Sequence, residues 1–221
     1  MTKAEAARLI DSTLLKADAS QQDILKLCED AKRYEFFSVC VNPCWVTLAV
    51  KLLKQADVKV STVIGFPLGA NTIETKMSEA KQAIAEGADE LDLVLNVGAI
   101  KSKKFGVVFE EMKAFRKIGK NLILKVILET TFLTDPEKIK TALLAEKTGI
   151  DFVKTSTGFS SNGATIRDVR LLRKTLGSEV KIKASGGIRS ADDFLAFVKA
   201  GAARIGTSSA KQILNKLGTH H

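Results

Sequence analysis

Three lysines and one aspartate carry most of the chemistry this sequence offers: Lys125, Lys154, Lys183 and Asp92. Each lies in a short segment built on alternating residues. In Glu90–Asn96 the leucines at 91, 93 and 95 share one face, and Glu90, Asp92 and Asn96 share the other. Leu122, Leu124, Val126 and Leu128 oppose Lys125 and Glu129. Val39 and Val41, with Phe37, oppose Ser38, Cys40 and Asn42. Lys183 lies opposite Val180 and Ile182, while Lys154 shares its face with Ile150 and Phe152. A lysine desolvated beside another ammonium loses its proton more easily, because burial and like charge both disfavour the charged form. Neutral lysine attacks carbonyls and forms Schiff bases. A nearby carboxylate moves protons directly or through water. Together these groups form a minimal set for making and breaking carbon–carbon bonds beside a carbonyl without a metal.

Such a set needs a frame that turns charged faces inward together. Strand-like segments at Leu9–Thr13, Phe37–Asn42, Lys59–Ile64, Glu90–Asn96, Leu122–Leu128, Asp151–Lys154, Val180–Ala184 and Ala203–Gly206 alternate with helix-period stretches. The latter include Gln21–Tyr34, Thr72–Glu86, Phe105–Lys117, Pro136–Lys147, Ile166–Leu176 and Ala191–Lys199. Ser190 reads as a helix N-cap, and Asp135-Pro136 as a helix opening. Gly87, Gly149 and Gly201 stand just past helix ends, where a left-handed residue is expected. Eight strands interleaved with helices, without a linker, predict an α/β fold: a single (β/α)8 TIM barrel over residues 1–221, with a short N-terminal helix. A doubly wound open sheet is the alternative. In a barrel the helix-facing side is apolar, so the charged faces point inward. Barrel interiors are ordinarily filled with branched aliphatics, and burying several charges is costly unless they are paired. The charged cluster at the strand ends therefore reads as an active site.

Composition narrows the chemistry. The two histidines, His220 and His221, are the last residues and are readable as remnants of an expression tag. A histidine-dependent hydrolase or a His-ligated zinc site is therefore excluded from expectation. The three cysteines lack a Cys-x-x-Cys spacing and predict reduced thiols in a cytoplasmic protein. No apolar run approaches ~18 residues, so no membrane span is expected. The net charge of +9 comes from lysines scattered among acidic residues, with one short cluster at Lys101, Lys103 and Lys104. With one Trp and one Tyr, base-stacking platforms are scarce, and no nucleic-acid partner is expected.

The sequence also offers an anion grip. Ser185-Gly186-Gly187 follows the seventh strand and Gly206-Thr207-Ser208 the eighth, opening the last helix. Loops at these two positions frequently bind phosphate in such barrels. At these residues the chain resembles the deoxyribose-phosphate aldolase family, class I enzymes that act through a lysine Schiff base. The resemblance runs through Ser38–Pro43, Thr62–Gly69, Gly87–Asp92, Lys125–Thr130, Lys154–Phe159, Lys183–Arg189 and Arg204–Ser208 in family order. It implies cleavage of 2-deoxy-D-ribose 5-phosphate to glyceraldehyde 3-phosphate and acetaldehyde, with no cofactor and no metal. Lys154 would be the nucleophile, Lys183 the lysine that tunes it, and Asp92 the proton carrier. Lys125 and Asp11 would orient that network. Cys40 would line the small-aldehyde pocket, and Thr157, Ser185, Gly186, Gly187, Gly206, Thr207 and Ser208 would bind the substrate.

Some positions depart from the family pattern. Ser12 stands where relatives carry histidine, Ser160-Ser161-Asn162 where they often carry glycines, and the tail lacks a terminal tyrosine. Glu90 and Glu129 read as charge partners of interior lysines, Cys28 and Cys44 as core residues, and Met77 and Met112 as core fillers. Arg189 reads equally as a phosphate contact or a helix cap. A homodimer through the outer helices is the expected assembly. Competing readings are another Schiff-base aldolase, an inactive phosphate-binding barrel and a basic nucleic-acid-binding protein.

Overall fold

The computed structural model describes residues 1–217, so the terminal histidines and the tail without tyrosine lie outside the described residues. Eight parallel strands close into one barrel in chain order: β1 (Ile10–Leu14), β2 (Ser38–Val41), β3 (Lys59–Ile64), β4 (Glu90–Val94), β5 (Ile123–Ile127), β6 (Phe152–Lys154), β7 (Lys181–Ser185) and β8 (Arg204–Thr207). Closure is made by β1 against β8, with Asp11 beside Gly206. The open-sheet alternative is thereby set aside.

The helices are α1 (Lys3–Ala7), α2 (Gln21–Tyr34), α3 (Val46–Leu53), α4 (Ile73–Ala85), α5 (Val97–Lys101), α6 (Phe105–Ile118), α7 (Asp135–Lys147), α8 (Ile166–Thr175), α9 (Ala191–Lys199) and α10 (Ala210–Lys216). None of the described helices is long and apolar enough to cross a membrane. Ser190 caps α9 by accepting from the Asp193 N–H at 3.0 Å. Gly87, Gly149 and Gly201 all have positive φ, as expected past helix ends. Most boundaries shift by one or two residues from the expected ranges, and two of these shifts have a clear local reason. Asn96 leaves the β4 segment because its side chain caps α5, accepting from Ala99 N at 2.9 Å. The helix at Asp135-Pro136 starts one residue earlier, at an N-cap Thr134 whose N–H donates to Glu137 at 2.8 Å.

The period-two pattern decides what faces where. Leu91, Leu93, Leu95, Leu124, Val126, Leu128, Val39 and Val41 lie in the main core between barrel and helices. Their strand neighbours are thereby turned into the barrel. Cys28, Met77 and Met112 are buried. Cys44 is exposed, contrary to expectation, because it sits in a 3-10 turn (Pro43–Trp45) ahead of α3 rather than on its inner face.

Candidate active site

Parallel registration sets charged residues side by side on neighbouring strands. Asp92 pairs in register with Lys125 across β4–β5, and Lys154 with Lys183 across β6–β7. The Asp92 carboxylate is the hub. Its Oδ1 accepts from Lys125 Nζ at 2.6 Å and Ser61 Oγ at 3.3 Å. Its Oδ2 accepts from both Lys154 Nζ at 2.8 Å and Lys183 Nζ at 2.9 Å. Lys183 also meets Asp11 Oδ2 at 2.5 Å, and Lys125 meets Glu90 Oε2 at 2.6 Å. Below them Arg204 donates to Asp11 Oδ1 at 2.7 Å and lies 3.5 Å from Glu90. The guanidinium stacks on Phe37, 3.4 Å from the ring centroid, with Phe152 at 5.3 Å.

Charge balance singles out Lys154. The network holds four basic groups, Lys125, Lys154, Lys183 and Arg204, against three carboxylates, Asp11, Glu90 and Asp92. One positive charge is in excess. Lys125 and Lys183 each hold two carboxylates, whereas Lys154 shares the one carboxylate oxygen it has with Lys183. Burial pulls the Lys154 ammonium below the ordinary lysine range, and the Lys183 charge adds to this against the pull of Asp92. Burial acts on Lys183 too, but Asp11 and Asp92 outweigh it and raise its value. Lys125 is likewise raised, by Asp92 and Glu90 against burial. Burial alone would raise Asp92, yet the surrounding lysines hold it well below the carboxylate range. Of the three interior lysines, Lys154 is thus the one whose ammonium form is least favoured.

Access points the same way. A cavity of about 250 Å³ opens at the strand ends, and of the interior lysines only Lys154 is on its wall. Thr157, Ser185, Gly186, Gly187, Gly206, Thr207 and Ser208 also line it, with Arg189, Thr13, Lys16 and Phe159. Ser185 Oγ donates to Ser156 O at 2.5 Å and Thr207 Oγ1 to Ile188 O at 2.7 Å, so both hydroxyl protons are engaged within the protein. Lys183, Lys125, Asp92 and Asp11 lie beneath the cavity, fully buried.

Cys40 is not on that wall. It is fully buried in a small cluster with Leu15 and Val63, against which Phe66 packs, and burial raises its thiol above the usual range. Glu90 does pair with Lys125, as read from sequence. Glu129 does not meet a lysine: it turns to the Thr157 backbone instead. Ser12 is buried beside Asp11, whose carboxylate is held by Ser38 Oγ at 2.7 Å in addition to its two cations. The role of Arg204 was missed, although residues 204 and 206 alternate inward on β8 as the other strands do. Lys16 gave no signal, because it lies beyond β1 where alternation ends.

A (β/α)8 barrel whose interior lysine opens onto a glycine-edged cavity has the parts that carbonyl chemistry at an amine requires. The sequence matches the model of the DeoC/LacD family aldolases over residues 6–216. The chain belongs to that family. It is 55% identical over 207 residues, 94% of each chain, to a deoxyribose-phosphate aldolase of Streptococcus sanguinis. It is 51% identical to the enzyme of that name from Caldanaerobacter subterraneus, over 95% of this chain and 92% of the relative. Among solved structures, the tetrameric deoxyribose phosphate aldolase of Aeropyrum pernix superposes with a TM-score of 0.92 at 34% identity, covering 99% of this chain and 93% of that one.

Proposed function

We propose that this protein cleaves 2-deoxy-D-ribose 5-phosphate reversibly to D-glyceraldehyde 3-phosphate and acetaldehyde, as one barrel domain without cofactor or metal. The observation that carries the reading is Lys154: its pKa is lowered, and it alone among the interior lysines reaches the cavity. Its Nζ attacks C1 of the open-chain sugar, and the resulting carbinolamine loses water to give a protonated imine. Asp92, through a water, takes the proton of the C3 hydroxyl. The C2–C3 bond breaks, its electron pair moves to the imine as an enamine, and C3 leaves as the aldehyde of glyceraldehyde 3-phosphate. The enamine takes a proton at C2, and water hydrolyses the imine to acetaldehyde and free Lys154. Lys183 is charged at rest, lowering the proton affinity of Lys154, and it lends its proton transiently in relay with Asp92. Lys125 and Asp11 orient them.

Backbone N–H groups of Gly186, Gly187 and Ser208, with the Ser208 hydroxyl, receive the phosphate, and Arg189 adds charge at the rim. Thr157 bounds the opposite side. Holding the phosphate far from the reacting carbons orients the chain over Lys154. The small aldehyde end lies deeper, over the Leu15, Cys40 and Val63 cluster, with Cys40 acting through packing. The reading places the protein in the cytoplasm, where reduced cysteines and phosphorylated sugars belong, and takes a homodimer as its assembly. Purified protein given 2-deoxyribose 5-phosphate should release both aldehydes and should leave other phosphorylated sugars largely untouched. Equal turnover of other sugar phosphates would replace this substrate with that of another Schiff-base aldolase.

A further inference from the structure

One buried carboxylate at the strand ends takes no part in the chemistry above. Glu129 follows β5 with φ 55°, a left-handed conformation that side chains other than glycine rarely adopt, and it is 3% exposed. Its Oε2 accepts from Thr157 N at 3.2 Å and from Thr157 Oγ1. Thr157 Oγ1 in turn accepts from Phe159 N at 3.1 Å. A buried carboxylate is costly unless it is used, and here both the amide and the hydroxyl of Thr157 are fixed by it. The loop so held packs against the phosphate side. A Cβ on Gly163 would come within 2.1 Å of Gly186 O, and one on Gly158 within 3.5 Å of Gly186 Cα. Ala164 N donates to the carbonyls of Ser185 at 3.2 Å and Gly186 at 3.1 Å. The β6 loop and the β7 glycine loop therefore meet backbone to backbone, and a shift in one moves the other.

We infer that Glu129 is a positioning residue for phosphate selectivity: by fixing Thr157 it sets the loop on which Gly186 rests, and hence the amides offered to the phosphate. The inference rests on the aldolase reading of the cavity and adds a determinant to it. The two are separated by assaying the unmodified protein first, on 2-deoxyribose 5-phosphate and on 2-deoxyribose. A protein that prefers neither overturns the aldolase-with-phosphate reading before any variant is made. Given that preference, Glu129→Gln should raise KM for the phosphorylated sugar roughly tenfold, about the loss of one charge-assisted hydrogen bond. Its kcat/KM on 2-deoxyribose should stay unchanged, since no part of Glu129 touches Lys154 or Asp92. An equal fall on both sugars, or no change on either, overturns the inference.

Thr157→Val should raise KM for the phosphorylated sugar by a similar factor, and the double variant should be no worse than the poorer single one, because both remove one contact. Additive losses would mean that Glu129 acts elsewhere. If Glu129→Gln does not fold, Thr157→Val and Thr157→Ser decide alone. Serine retains the donor and should match the unmodified protein, and a serine variant as impaired as valine contradicts the assignment.

Discussion

At the scale of single residues, the proposed function rests on an imbalance: four buried basic groups share three carboxylates, and Lys154 has the weakest claim on them. Removing the Lys183 charge should therefore restore proton affinity to Lys154. In Lys183→Met the acidic limb of the kcat/KM profile should move to higher pH, and an unshifted limb would show that Lys183 does not tune it. Asp92→Asn keeps the shape of the hub but cannot take a proton. Its kcat should fall about 10²–10⁴-fold, the range general-base removal gives. Much of this was legible because strand alternation is strict: Asp92, Lys125 and Lys183 each oppose aliphatic neighbours, and Glu90 follows the same rule. Where alternation stops, reading failed. Glu129 lies one residue past the last outward leucine of its segment, and its left-handed backbone redirects the side chain away from the lysines. Cys40 obeys the alternation, but period two does not say whether an inward residue reaches the cavity or lies under Leu15 and Val63.

At the scale of elements, the strands are fixed to their helices by more than apolar packing. Lys76 on α4 is fully buried, donating to Val94 O at the end of β4 at 2.8 Å and to Glu111 on α6 at 2.6 Å. Glu111 Oε2 accepts from Asn96 N at 3.2 Å. Burial raises Glu111 against the pull of Lys76. Lys76→Met would strand a buried carboxylate and should lower stability by about 3–5 kcal/mol, read by denaturant titration. Changing both partners to apolar residues should recover much of that loss, since replacing a whole buried pair is often neutral. A single variant as stable as the parent would show that the pair contributes nothing to the α4–α6 contact. This pairing was not legible: nothing in the helix periodicity of α4 or α6 says which charged residue turns inward to meet another helix. Caps were easier, because Ser190 and Asn96 carry short side-chain acceptors where helices start.

At the scale of the whole molecule, the same interior ties the stability of the barrel to pH on the acid side. Burial would raise Asp11 and Asp92, but Lys183 and Arg204 around the first, and Lys125, Lys154 and Lys183 around the second, hold both far below the carboxylate range. Below about pH 4 the unfolded chain binds protons that these two residues refuse in the fold. Their contribution is thus complete above that pH and is lost as pH falls toward their folded values. Stability measured by urea titration should decline from pH 4 to 2, and Asp11→Asn should flatten that slope. An unchanged slope would mean that Asp11 is already protonated in the fold. The eight-stranded closure was legible from strand count and punctuation, and its registers supply what the count could not, the levels of Asp92 and Lys154 relative to their neighbours.

The most direct test is covalent. Protein mixed with acetaldehyde and reduced with borohydride should gain one two-carbon adduct, mapped by peptide mass spectrometry to Lys154 and absent from Lys154→Ala. An adduct on Lys183 instead, or none on the folded protein, would contradict the assignment of the reactive amine.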